Sequence, residues 1–399
     1  MTTRLGKTSG PVSAPIVIVG GGFGGLTTAL ELARQPDHPP LLVIDPAERF
    51  VFAPLLYEVL SGELPAWTVA PRFDALLPGR GIGWLQDRVT AVDHAARTLM
   101  TAGGQRLAWQ RLVLACGAED HDHAVPGVRE HALAFRTLDD ALRLRRRVDG
   151  LRESPRPLQR LAVAGAGPTG VELACKLADL LAGRAVIELL EAGPEALAGC
   201  RAFNRDRALE ALARRDVRLR CGTRVRRVTA EGVDLEWQSD GQTMGESLPV
   251  DVLVWTAGSR PRPSGLADGT DPRGRLVCSA TLEVEGHPGV FALGDGASVP
   301  HDPELPSSAQ VAMQQGQQLA ANLRRSLAGE PLEPFQWNDL GEMLSLGVGE
   351  ASVTGLGLTL AGPAAQTLRR LTYLTRLPGP LPLLAAAGWL ADHGPRPSR

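Results

Sequence analysis

The residues of this chain that could do chemistry are two clusters of glycine, each answered by an acid. Gly20, Gly22 and Gly25 keep the G-x-G-x-x-G spacing behind the apolar run Ile16 to Val19, and Asp45 closes a second apolar run, Leu41 to Ile44. The first glycine permits a tight turn, the second lets backbone approach a pyrophosphate, and the third lets a helix pack on a sheet. N-H groups at the helix start then meet the phosphate charge, and the acid accepts from ribose hydroxyls. The arrangement returns at Gly165, Gly167 and Gly170 behind Leu161 to Ala164, with Glu191 closing Val186 to Leu190. One such pattern is a weak signal, but two complete units predict a chain that holds two dinucleotides. Farther on, Gly294-Asp295-Gly296 ends an apolar strand and would aim a carboxylate into the ligand crevice of an open sheet. Gln310 and Gln314 lie one turn apart on a helix capped by Ser308, a spacing that suits a neutral polar ligand or plain solvation.

These groups need elements to carry them. Phe23 to Arg34 places Leu26, Ala29, Leu30 and Ala33 at helical spacing, which completes a first strand-helix-strand unit, and Val171 to Leu181 does the same for the second. Between Ile82 and Leu114, and again from Val217 to Trp237, short strands alternate with turns, as β-meanders inserted into the nucleotide units. Val250 to Trp255 is a strand leading into Ala257-Gly258. Arg49 to Trp67 lacks clean periodicity and reads equally as a loop over a ligand or as core. Thr137 to Val148 is an arginine-rich helix with a solvated face, followed by a proline-rich linker from Glu153 to Pro157. On a helical wheel of Pro363 to Leu377, Ala364, Leu368 and Leu371 oppose Gln366, Arg369, Tyr373 and Arg376, with Arg370 on the polar side. Residues 351-399 hold five arginines and one aspartate, and Leu381, Leu383, Leu384, Trp389 and Leu390 follow the helix. That pattern suggests an interfacial membrane anchor, with a dimer surface or core closure as the competing reading. The expected fold class is α/β: two Rossmann-like dinucleotide-binding domains with β-meander insertions, plus a C-terminal amphipathic membrane-association region.

Composition excludes several functions. A net charge of -2 argues against nucleic acid as a partner. The five cysteines, Cys116, Cys175, Cys200, Cys221 and Cys278, contain no C-x-x-C pair, which argues against a zinc ribbon or a disulfide framework. His121-Asp122-His123 offers two ligands without a third, so no metal is expected. Met1 to Ser13 lacks the apolar core of a signal peptide, and no run is long enough to span a bilayer. The chain is therefore expected inside the cell, peripheral on the cytoplasmic side of a membrane.

Two dinucleotide units with a Gly-Asp strand end resemble the two-dinucleotide-binding flavoproteins. Within them, Arg49-Phe-Val-Phe-Ala-Pro-Leu-Leu-Tyr-Glu-Val, Gly165-Ala-Gly-Pro-Thr-Gly-Val-Glu-Leu-Ala and Ala309-Gln-Val-Ala-Met-Gln-Gln-Gly are similar to the flavin loop, second glycine motif and quinone helix of type II NADH dehydrogenases. Phe203-Asn204-Arg205 and Leu340-Gly-Glu-Met-Leu-Ser-Leu-Gly, with Ala53-Pro54 and Gly294-Asp295-Gly296, resemble the demethylphylloquinone reductase branch. The resemblance implies FAD in the first domain, residues 14-119 and 262-330, and NADH or NADPH in the second, residues 120-261. Residues 331-399 would form the membrane or dimer region.

Flavin contacts implied are Gly20, Gly22, Phe23, Gly24, Gly25, Asp45, Pro54, Ala115, Gly117, Gly294, Asp295 and Ala309. Coenzyme contacts implied are Gly165, Gly167, Pro168, Thr169, Gly170, Glu191 and Gly258. The implied reaction moves a hydride from NAD(P)H to flavin and two electrons on to a membrane quinone, with the Ser308 helix start favouring the negative charge of the reduced flavin. Gln310 and Gln314 would line the quinone pocket, and Glu172 would act on proton movement or nicotinamide orientation. Glu191 should favour NADH, whereas the reductase branch implies NADPH. A sulfide:quinone reductase-like enzyme and a flavin-binding redox sensor are the alternatives. The chain departs from the usual Ala-Thr-Gly at Ala115-Cys116-Gly117, which leaves Cys116 without an inherited role.

Overall fold

The computed structural model describes residues 14-35, 37-156, 158-262, 265-300, 302 and 305-378. Packing divides them into two compact units. One comprises residues up to 50, 71-119 and 260-337, and the other 51-70, 120-259 and from 338 onward. Residues 51-70 thus join the second unit, although they fall inside the sequence range expected for the first domain.

The first unit is built on a five-stranded parallel sheet in the order Val290–Ala292, Arg111–Leu114, Ile16–Val19, Leu41–Ile44, Ile82–Leu85. All four residues of the Ile16–Val19 strand are buried, which is why it reads as a continuous apolar run and not as an alternation. The helix Phe23–Ala33 leaves its carboxyl end. Against that helix packs a second, Ala309–Ala328, at a glycine seam: a Cβ on Gly316 would approach the Gly24 carbonyl oxygen to 2.7 Å. The meander appears as Val89–Asp93, Thr98–Thr101 and Arg106–Ala108, antiparallel throughout.

The second unit repeats the theme with four parallel strands in the order Arg218–Arg220, Ala185–Leu190, Gln159–Ala164, Val252–Trp255. Its glycine strand feeds the helix Pro168–Leu181, with Pro168 at the first turn where a missing N-H costs nothing. Two antiparallel three-stranded sheets accompany it. The first is Thr223–Val228, Gly232–Ser239 and Gln242–Pro249, and the second, not anticipated, is Glu342–Ser345, Ala351–Gly355 and Leu358–Gly362.

Three local expectations are resolved or corrected. The stretch after Arg49, read equally as a loop over a ligand or as core, folds as a 3-10 turn Ala53–Leu55 and helices Leu56–Ser61 and Ala66–Val69 and takes the core alternative. Leu56, Tyr57 and Leu60 enter the core of the second unit. The arginine-rich helix runs Leu138–Glu153, past the expected end at Val148, and Thr137 and Asp140 close a capping box at its start. The third concerns the helix Pro363–Leu374, whose predicted faces are reversed. Gln366, Arg369 and Arg370 are buried, while Ala364 is exposed and Leu368 is 36% exposed. Buried acids elsewhere in the unit draw the arginines inward and leave the apolar stripe outside. Leu381 to Leu390 lie outside the described residues. Among the described residues no helix is long and apolar enough to cross a membrane.

Candidate functional site

Each unit carries a glycine cradle whose three glycines do different work. In the first, Gly20 has φ +106°, and a Cβ there would overlap the Ala115 carbonyl; a Cβ on Gly25 would overlap the Gly20 carbonyl. Gly22 differs, because a Cβ there would meet no described residue within 4 Å. Glycine at this position is therefore not required by the protein's own packing. Gly22 also stands at the N-cap of the Phe23–Ala33 helix, and no side chain caps it. A helix start with open space before it is suited to an anion. The second cradle matches it: Gly165 has φ +99°, a Cβ on Gly170 would overlap the Gly165 carbonyl, and Gly167 again meets nothing and caps Pro168–Leu181 without a side-chain bond.

The acids hold these loops in shape. Asp45 Oδ2 accepts from Gly21 N at 2.6 Å and its Oδ1 from Ala47 N at 2.7 Å. Glu191 Oε2 accepts from Ala166 N at 2.8 Å and its Oε1 from Gly193 N at 2.7 Å. Each carboxylate oxygen keeps a second lone pair that can receive a hydroxyl. Pyrophosphate-bearing dinucleotides thus fit both cradles.

Around the first cradle lie Gly117, at φ +67°, and the Gly294–Gly296 turn with Asp295. Ser308 caps the Ala309–Ala328 helix by accepting from Val311 N at 3.2 Å. Gln310 and Gln314 are half-buried on that helix. Their neighbour Gln315, which the sequence reading passed over, is 1% exposed and accepts from Gly294 N at 2.7 Å, fixing the Asp295 turn to the helix. Its place one residue after Gln314 is the only clue the sequence offered.

Glu172 lies in the second unit, on the helix that begins at the second cradle. Its Oε1 accepts from Ser345 N at 2.7 Å, and it shares a hydrogen bond with Tyr57, which also bonds Thr169. Burial pushes its carboxyl above the usual carboxylate range, against the pull of Arg369. Both sequence stretches singled out for the reductase branch support this acid. The second stretch supplies Ser345, and the two are tied together where Asn204 Nδ2 donates to Glu342 Oε1 at 2.7 Å. His123 sits against Gly258, its Nε2 2.7 Å from the Ala257 carbonyl oxygen.

The second unit holds two sets of paired charges, of which Arg369 and Glu58 act on Glu172. Arg369 pairs with Glu58 at 2.6 Å, Arg370 with Glu63 at 2.7 Å, and Lys176, fully buried, with Glu63 at 2.5 Å. Burial alone would raise the Glu63 carboxyl, but Lys176 outweighs it and holds the group below its ordinary value. A lowered folded value means stabilisation that is complete above the unfolded value of about 4.3 and is lost as pH falls through the folded one. The Tm of Glu63→Gln should lie at least about 4 °C below wild type at neutral pH. That gap should close on acidification below about pH 4. A gap independent of pH would show that the Glu63 charge does not act this way.

All five cysteines are free, and burial pushes the thiols of Cys175, Cys200 and Cys278 up to about 12 and that of Cys116 to about 11. None is poised as a thiolate nucleophile.

Two parallel-sheet units, each with an acid-pinned glycine cradle, have the geometry of a two-dinucleotide fold. Residues 14-316 match the pyridine nucleotide-disulphide oxidoreductase family, and the chain belongs to it. It is 39% identical over 376 residues to demethylphylloquinone reductase NdbB of Synechocystis sp., covering 91% of this chain and 92% of that protein. It is 36% identical to the alternative NAD(P)H-ubiquinone oxidoreductase C1 of Arabidopsis thaliana, over 91% of this chain and 78% of that one. In fold it is similar to NDH2 from Plasmodium falciparum in complex with NADH, with a TM-score of 0.81 over 95% of this chain and 97% of that one, at 18% identity.

Proposed function

We propose that the chain is an FAD-dependent NAD(P)H:quinone oxidoreductase of the type II class. The observation that carries this reading is the pair of cradles, each with a middle glycine that protein packing does not demand. The likeness to two quinone reductases over nine-tenths of the chain supports it. The first cradle, with Asp45, Ala115, Gly117 and Asp295, would hold FAD. The second, with Pro168, Thr169, Glu191 and Gly258, would hold NADH or NADPH. When bound, FAD supplies two-electron chemistry between the nicotinamide and a quinone.

The protein's share is positioning and charge. Gln315 fixes the Asp295 turn, and the start of the Ser308 helix would favour the negative charge of a reduced flavin. Gln310 and Gln314 donate hydrogen bonds to a quinone carbonyl. Glu172 orients the nicotinamide or receives a proton. Contact with the membrane runs through the outward apolar side of the Pro363–Leu374 helix, with Leu356 and Leu358 of the adjoining hairpin exposed as well. Arg369 and Arg370, engaged with buried acids, take no part in it. The chain would then be peripheral, and a homodimer over the same surface is the competing use of these residues.

Purified protein should carry a flavin spectrum and oxidise NAD(P)H with a short-chain quinone as acceptor. For Gln314→Ala, stopped-flow should show flavin reduction by NAD(P)H near wild type and reoxidation by quinone slowed about tenfold, as for one lost hydrogen bond. Slowing of the reductive half alone would contradict this division, and a protein without flavin would refute the reading.

A further inference from the structure

Arg369 stands between two carboxylates and serves them unequally. Its Nη1 donates to Glu58 Oε1 at 2.6 Å and its Nη2 to the Pro54 carbonyl oxygen at 2.6 Å, while Nη2 remains 3.5 Å from Glu172 Oε1. The first two are full charge-assisted bonds, and the third is past useful hydrogen-bonding distance. All three side chains are buried, with Glu58 at 0%, Arg369 at 1% and Glu172 at 7% exposure, so small changes in separation act in a low dielectric.

We propose that Glu58 is a positioning residue that, together with the Pro54 carbonyl, holds the Arg369 guanidinium out of hydrogen-bonding reach of Glu172. Among the described residues, Glu172 then keeps the Ser345 N-H and the Tyr57 hydroxyl as direct donors. The ionisable groups around it are Arg369 and Tyr373 from the Pro363–Leu374 helix, Tyr57 and Glu58 from Leu56–Ser61, Cys175 on its own helix, and Cys200. Among these, Arg369 is the cation that favours the carboxylate, and Glu58 both occupies it and adds a negative charge of its own. Arg369 is further steadied on the Tyr373 ring, 5.0 Å from its centroid. The arrangement disfavours the ionised form of Glu172 near the start of the Pro168–Leu181 helix, and so deepens the role proposed for that acid.

Infrared titration of the full holoprotein follows the protonated-carboxyl band that Glu172→Gln removes. In Glu58→Gln the guanidinium is released toward Glu172, and the midpoint of that band should fall by about one pH unit or more. In Arg369→Lys, a compact cation that cannot fork between partners, the midpoint should rise. Should Glu58→Gln fail to fold, Arg369→Lys carries the test alone. An unmoved midpoint in the folded variants overturns the inference. If Glu172→Gln removes the band yet leaves kcat/KM for NAD(P)H unchanged, the functional reading of Glu172 fails while the positioning role stands.

Discussion

Gly22→Val should fold and lose its flavin, whereas Gly167→Val should keep its flavin and lose reduction by NAD(P)H. Both substitutions put a side chain where no described residue lies within 4 Å. Both positions have ordinary extended backbone, φ -71° and ψ -167° at Gly22 and φ -72° and ψ -176° at Gly167. The cost to folding is then only that of a poor N-cap, about 1 kcal/mol. The cost to a bound dinucleotide is larger, because the added methyls displace a pyrophosphate from the helix start. Losing two charge-assisted hydrogen bonds at about 1.5-3 kcal/mol each corresponds to on the order of 100-fold to 10,000-fold in affinity.

Gly22→Val would be purified without visible flavin and with a Tm within a few degrees of wild type reconstituted without FAD. Gly167→Val would be yellow and reducible by dithionite, but not by millimolar coenzyme. Gly25→Ala and Gly170→Ala make the contrast, since their methyls would overlap the carbonyls of Gly20 and Gly165 and disrupt the units themselves. A yellow Gly22→Val with stoichiometric FAD would remove the first cradle from the flavin site.

What the sequence made legible was what local chemistry dictates. The glycine spacings, the buried strands before them and the acids after them are each set within about thirty residues, and the structure places them together. Gln315 was missed because a buried glutamine beside two candidate glutamines has no signal of its own. The Pro363–Leu374 helix was read inside out for a different reason. A helical wheel assigns charged residues to solvent, and only a partner elsewhere in the chain can reverse that. Here the partners are Glu58 and Glu63, more than 300 residues earlier, in a stretch with no periodicity to mark it as helix. The same blindness to distant pairing applies to residues 51-70, which sequence order assigns to the first unit and packing assigns to the second.

Arg369→Met should be the most destabilising single change in the second unit outside its glycines. It leaves Glu58, which has no exposed surface, as a buried carboxylate without its cation, and Glu58 Oε2 has no hydrogen-bond partner among the described residues to begin with. Breaking a buried pair from one side costs about 3-5 kcal/mol, which for a unit of this size corresponds to roughly 6-20 °C in Tm. The loss is mostly the cost of the stranded charge and not the net worth of the pair. Glu58→Met added to Arg369→Met should therefore recover most of it, since two apolar chains of similar volume leave no charge behind. The double variant separates two explanations of the inward arginines. If it stays as unstable as Arg369→Met, the guanidinium matters through its packing and its bond to the Pro54 carbonyl. If the single variant lies within about 1 kcal/mol of wild type, the value typical of a surface pair, the ion pair does not hold this helix to the unit.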